Sequence, residues 1–356
     1  MASWERPGKR GKKKDDAPVS KERAAEVVAT RSNIKGEVVE EFIDLALGGK
    51  LVWNNGMMNM PISLFHNGVN HNRYGGLNQM LLMARGFTDP RCYGFAQLKA
   101  MGKYVKKGAT STRLVAYVDV DKGKEGVVEA KHECELGEVL AEKDKSRVFM
   151  IRVPVFNASQ VSGLDPYMMP KREFSVSDSV NFMCNELTEK TGLAFETEDC
   201  VPHYSPFRDM IKMPAPERFL SLEDYEGTRL HELVHATGAI KRLGRFVDPQ
   251  SRTPKDYARE ELLAEMGAYF LCVTLGIAPS PSAIENHAAY VQHYAEQLRA
   301  DHKLLFSVAK EAFKVMEYLE GFMPKAPVPE SVTGGADKEK PGVSNIIVPR
   351  STARRL

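Results

Sequence analysis

The chain has 356 residues, 43% hydrophobic and 27% charged, which is enough for two globular domains and too polar for an integral membrane protein. Its longest apolar stretch, Tyr269 to Ala278, falls well short of the ~20 residues that cross a bilayer, and residues 1–15 are basic without the apolar segment of a secretory signal, so a cytoplasmic protein is expected. Forty-nine basic residues against 47 acidic give a net charge of +2, so a polyanionic partner can be recognised only through local clustering.

Residues 1–20, rich in Lys, Arg, Pro and Gly, read as a disordered basic tail. Apolar side chains then recur at helical spacing from Glu37 to Leu47, stopping at Gly48-Gly49. Two more helices are expected, Leu77–Ala84 before Gly86 and Phe95–Met101 before Gly102. Strand-like runs follow at 112–120 and 146–157 and are expected to pair. The charged, turn-rich stretch 121–145 between them reads as an excursion outside the core.

Asp165-Pro166 and Met169-Pro170 break the chain, which places a domain boundary near 170. Beyond it lie a helix at 177–190 and extended pieces at 193–197 and 209–213. A helix opened by Ser221, with Asp224 three residues on, closes at Gly238. Another runs from Asp256 to Leu275 before Gly276, and a helical pair between Ala283 and Tyr318 completes an α-rich half. Residues 323–356 read as a second disordered tail. The fold class is therefore α+β, with units at 21–170 and 171–322. The five cysteines are scattered, without C-x-x-C, so they are expected to be reduced and mostly buried.

The helix after Ser221 contains His231-Glu232-Leu233-Val234-His235. On a helix the i, i+4 spacing puts both imidazoles on one face about one turn apart, where they can share one metal ion. Glu232 is placed to act as general base toward an attacking water. A catalytic zinc needs a third protein ligand and an open position. The metzincin pattern would put that ligand six residues beyond His235, where this chain has Lys241. The next helix offers Glu261 and Glu265 on a shared face, with Glu260 as a further candidate. Glu261 resembles the third ligand of the thermolysin-like pattern, and Glu265 the acid that steadies a histidine from behind.

Residues 71–114 hold eight basic side chains against Asp89 alone, a local charge of +7, interleaved with aromatic residues. Basic and stacking groups together suit a sequence-tolerant binder of single-stranded nucleic acid. The candidates are Arg73, Tyr74, Arg91, Tyr93, Phe95, Lys99, Lys103, Lys106, Lys107 and Arg113. His203 and Tyr204 are candidates for an edge strand lining a peptide cleft. Neither P-C-x-x-C nor G-x-x-x-x-G-K-[ST] occurs, so no nucleotide cofactor is expected.

The segments NRYGGLNQMLLMARGFTDPRCYGFAQLKAMGKYVKKG, VPVFNASQVSGL, HELVHATG and YAREELLAEMGAYFL, in this order, resemble the ArdC-type antirestriction proteins. The resemblance covers about 20–320. It implies an N-terminal mixed α/β domain that binds single-stranded DNA, shared with TraC-type primases, and an α-rich zincin-like metallopeptidase domain related to the SprT group. It supports His231, His235 and Glu261 as Zn²⁺ ligands and Glu232 as base. The implied function is that of a plasmid or phage protein that protects incoming single-stranded DNA and cleaves DNA-associated proteins. The alternative is a non-enzymatic coat for single strands with a structural zinc. Where the family has Trp, this chain has Cys92 followed by Tyr93, Gly94 and Phe95, which implies that the principal stacking contact is either weakened or moved to Tyr93; Gly75 replaces a family Arg.

Overall fold

The structure, a computed structural model, describes residues 34–45, 63–119, 130–131, 148–168, 175–246, 253–277 and 294–324. The tail expected at 1–20, the boundary expected near 170 and all but the first two residues of the tail expected at 323–356 lie outside these residues.

Helix α1 (34–45) buries Val38, Val39, Phe42 and Ile43, the stripe its periodicity predicts. The first half is built on a five-stranded sheet containing β1 (His66–Asn67), β2 (Arg91–Gly94), β4 (Thr112–Asp119), β5 (Ala130–Lys131) and β6 (Val148–Asn157), in the order β1-β2-β6-β4-β5. The expected pairing of the two long strands is present, antiparallel from Thr112↔Val155 to Asp119↔Val148. Of the stretch 121–145 only Ala130 and Lys131 are among the described residues, and they pair with β4 at Val118 and Tyr117. A separate ribbon joins β3 (Tyr104–Val105) to β7 (Val161–Ser162).

Helix α2 (Gly76–Met83) is buried on every side, so its polar residues must find partners inside. Asn78 bonds both the N–H and the carbonyl of Val115 at 2.8 Å, standing in for a neighbouring strand. Gln79 does the same for Phe65, at 2.9 and 2.7 Å. Helix α3 (Phe95–Ala100) follows β2 directly.

In the second half, α4 (Val176–Thr191) starts at the Ser175 cap and stops at Gly192, whose φ of 72° is the left-handed conformation glycine tolerates best. A three-stranded sheet follows, ordered β8-β10-β9: β8 (Ala194–Thr197) is parallel to β10 (Met210–Met213), and β9 (His203–Ser205) is antiparallel to it at the other edge. Helix α5 (Leu222–Ala236) is capped by the Ser221 hydroxyl, which accepts from Asp224 N at 3.1 Å. Helix α6 (Pro254–Leu275) has a Thr253/Asp256 capping box and ends at Gly276. Helices α7 (294–300) and α8 (His302–Glu320) complete the order.

One apolar core runs from Val38 through α2, α5 and α6 to Leu319. Helix α8 serves both halves, packing on α6 and on α2. The contact at α2 is so close that a Cβ on Gly76 would lie 2.0 Å from the Ala309 carbonyl oxygen. Of the described cysteines all are free, and Cys92, Cys184 and Cys272 are buried. No helix among the described residues is long and apolar enough to cross a membrane.

Candidate metal centre

Helix α5 carries His231 and His235 on one face, and α6 crosses beside it with Glu260, Glu261 and Glu265. The two Nε2 atoms are 3.1 Å apart. Each lies 3.5 Å from an oxygen of Glu261, Oε2 for His231 and Oε1 for His235. Tetrahedral donors about 2.0–2.1 Å from a zinc ion sit about 3.4 Å from one another. Two imidazoles and a carboxylate at these separations therefore fit a shared divalent cation. Among the described residues, His231, His235 and Glu261 form the cluster able to hold one.

Behind the ligands stand two further carboxylates. Glu265 Oε1 is 3.7 Å from His231 Nδ1, and Glu260 Oε1 is 3.3 Å from His235 Nδ1. Burial alone would push the His235 imidazole down, but hydrogen bonds to Glu260 and Glu261 win and raise it to about 9. Burial would raise Glu261, yet hydrogen bonds from His231 and His235 hold it well below the usual carboxylate range. Glu232, buried on α5 between the two histidines in sequence, adds negative charge felt by His235. Glu261 keeps 37% of its side chain exposed against 18% and 13% for the histidines, so the cluster opens to solvent on the Glu261 side.

The basic stretch is partly dismantled by the fold. Arg73 forms a two-pronged ion pair with Glu320, at 2.6 and 2.9 Å. Arg85 pairs with Glu41, and Arg91 pairs with Asp89 while lying over the Tyr167 ring. Two stacking candidates need correction. Tyr74 and Tyr93 are buried, and Tyr93 packs so tightly under Gly68 that a Cβ there would lie 2.1 Å from its ring. The Tyr93 ring is therefore not exposed for a base to stack on. Strand β2 ends at Gly94 and α3 begins at Phe95, so the backbone changes course between the two aromatics and Phe95 is left 64% exposed. Tyr104 is also exposed, at 74%. Lys99, Lys106, Lys107 and Arg113 are exposed as well. Lys103 and Lys106 also donate to the carbonyls of Gly163 and Ser159.

Of the proposed edge-strand pair, His203 is exposed, but Tyr204 is buried and donates its hydroxyl to Asp209 at 2.8 Å. Tyr204 belongs to the packing and not to a cleft wall.

Residues 31–156 match the family model of the N-terminal domain of anti-restriction factor ArdC, and residues 183–311 match that of the zincin-like metallopeptidases. The chain combines these two domains in that order. The ArdC-like chain is similar to a DNA primase TraC of Escherichia coli, at 30% identity over 301 residues, which is 81% of this chain and 27% of the primase. It thus spans about a quarter of that relative. Crystal structures of the antirestriction ArdC protein from plasmid R388, one metal-free and one with Mn(II), match it at a TM-score of 0.60 and 27% identity, over 81% of this chain and 97% of theirs. A zincin-like domain implies a metal cofactor, and the donor set of the ArdC-like chain suits one.

Sequence reasoning considered Glu260 only as a rival ligand and missed Arg245 entirely. Arg245 Nη2 donates to Glu260 Oε1 at 2.7 Å and its Nε to Oε2 at 3.0 Å. No spacing rule finds this pair, because Arg245 reaches Glu260 by a loop that doubles back on α5.

Proposed function

We propose that this ArdC-like protein binds single-stranded DNA through Phe95 and Tyr104 and hydrolyses peptide bonds in proteins met on that DNA, in the service of protecting plasmid or phage DNA from restriction. The observation that carries the catalytic half is the convergence of both Nε2 atoms and the Glu261 carboxylate within 3.5 Å of one another, with Glu232 next in sequence to the first histidine. His231, His235 and Glu261 would hold the ion, with Zn²⁺ the expected metal. When bound, it supplies Lewis acidity that polarises a peptide carbonyl and acidifies a water molecule. Glu232 takes the proton of the attacking water and passes it to the leaving amine. Glu265 and Glu260 hold the two imidazoles in the tautomer that turns Nε2 toward Glu261.

A purely structural ion is the competing role. Structural sites are closed by protein, whereas catalytic ones keep an open position. The exposure of Glu261 favours the catalytic role.

For the DNA half, exposed aromatic rings together with exposed Lys99, Lys106, Lys107 and Arg113 suit bases that stack while their phosphates are neutralised. The similarity to a protein named as a DNA primase is consistent with it. The deciding experiment incubates the metal-loaded protein with a polypeptide crosslinked to single-stranded DNA. Fragments are expected from the wild type and none from Glu232→Gln. Equal fragmentation by both removes Glu232 from the mechanism, and no fragments from either removes the peptidase.

A further inference from the structure

Two adjacent glutamates both reach His235, Glu260 at Nδ1 and Glu261 at Nε2, and only Glu261 also reaches His231, yet a divalent ion can draw any carboxylate left free beside an imidazole. We propose that Arg245 is a positioning residue that decides between them: it ties down Glu260 as the orienting partner of His235 and so leaves Glu261 as the ligand. The inference rests on the reading of His231, His235 and Glu261 as metal ligands.

The geometry is specific. After α5 ends, Gly238 N bonds back to His235 O, Leu243 N to Thr237 O and Phe246 N to Gly238 O, so the chain makes a compact return over the last turn of the helix. The Phe246 ring sits where a Cβ on Gly238 would be, 2.5 Å from its Cζ, so glycine is required for this closure. The loop delivers the Arg245 guanidinium, 7% exposed, to a site lined by acceptors. Its Nε and Nη2 grip both oxygens of Glu260, its Nη1 donates to Thr237 Oγ1 at 2.7 Å, and Nη2 also donates to Val234 O at 2.8 Å.

A planar fork bonded on both oxygens fixes a carboxylate in orientation as well as position. Glu260 is itself 6% exposed, so without Arg245 its charge would be buried with His235 as its other described partner. Held in place, Glu260 points one oxygen at His235 Nδ1, which requires the proton on Nδ1 and leaves the Nε2 lone pair for the ion. The arrangement is asymmetric, because the acid behind His231, Glu265, stands farther from its imidazole, at 3.7 Å.

The test uses the full chain stripped of metal and titrated with Zn(II) or Mn(II) against a chromogenic chelator, alongside the visible spectrum of the Co(II)-loaded protein. Glu260→Gln and Arg245→Met are each expected to weaken metal binding about 10–100-fold, the range typical of residues that orient a ligand from behind, and to alter the Co(II) spectrum. Because Arg245 acts through Glu260, the double variant should bind no more weakly than the weaker single one. Should Arg245→Met fail to fold, Glu260→Gln, which preserves shape, and Arg245→Lys, which keeps charge but loses the fork, carry the test. Single variants that bind and absorb like the wild type overturn the inference, as does a double variant whose loss is the product of the two. Glu261→Gln is the control for the underlying site: if it binds as tightly as the wild type, the metal-site reading fails and the inference falls with it, whereas a weak Glu261→Gln beside a normal Glu260→Gln defeats the role of Arg245 alone.

Discussion

Gly267 on α6 lies so close to Val234 on α5 that a Cβ there would sit 3.0 and 3.1 Å from the two valine methyl carbons. Val234 immediately precedes His235, and Gly267 lies about two turns beyond Glu261, so this contact sets how near the carboxylate comes to the imidazoles. In Gly267→Ala, the helix-propensity gain of about 1 kcal/mol offsets an overpacking cost of about 1–3 kcal/mol. Stability should fall little, while metal affinity drops several-fold as the helices part. Calorimetric unfolding compared with a metal titration checks this, and unchanged affinity would show that the helix spacing is not limiting.

A second close approach ties the halves together. Because the Ala309 carbonyl that meets Gly76 is backbone and cannot swing aside, Gly76→Ala should cost about 3 kcal/mol and lower a single thermal transition shared by both halves. Two separate transitions, with only one of them shifted, would contradict a common core.

For DNA, the exposed rings are the ones to remove. Phe95→Ala and Tyr104→Ala should each weaken single-strand binding by about 1–3 kcal/mol if each carries a stacked base. Tyr93→Phe, buried, should leave affinity unchanged. Fluorescence anisotropy with labelled oligonucleotides at several salt concentrations measures both effects. Full affinity in both alanine variants would remove the exposed rings from the interface.

These outcomes separate what the sequence made legible from what it did not. Helix α5 could be read because the Ser221 cap, the periodicity and the stop at Gly238 coincide, and the end of α6 because Gly276 stops it; the start of α6, at Pro254 behind the Thr253 cap, lies two residues ahead of the expected Asp256. Once α5 was a helix, the spacing of His231 and His235 followed. Strands β1, β3 and β7 have only two residues each, too few for any alternation to register. The basic count at 71–114 overstated the free charge, because Glu41 and Glu320, which neutralise Arg85 and Arg73, come from distant parts of the chain. Tyr93 and Phe95 look equivalent in sequence, and only the switch from strand to helix at Gly94 separates them.

Asp209 anchors the loop before β10. Burial would raise its carboxyl, but hydrogen bonds from Arg242, Lys241 and Tyr204 bring it down to about 2. A carboxylate depressed in the folded state stabilises it above the unfolded value, near ~3.9, and that contribution is lost as pH falls through about 2. Denaturant midpoints should therefore fall between about pH 4 and pH 2, and Asp209→Asn should flatten that part of the profile. The variant should cost about 1 kcal/mol at neutral pH, less than the full shift because the carboxylate is partly solvated. Asparagine also tolerates the left-handed backbone at this position, φ 50°. A pH profile identical to the wild type would dismiss the network as a source of stability.

The most direct measurement is anomalous diffraction from crystals of this protein soaked in Zn(II) or Mn(II). One strong peak is expected, within about 2.0–2.2 Å of His231 Nε2, His235 Nε2 and a Glu261 oxygen, with Glu260 still held by Arg245. A peak elsewhere, or none between those three side chains at full soaking concentration, would contradict the metal centre and the chemistry built on it.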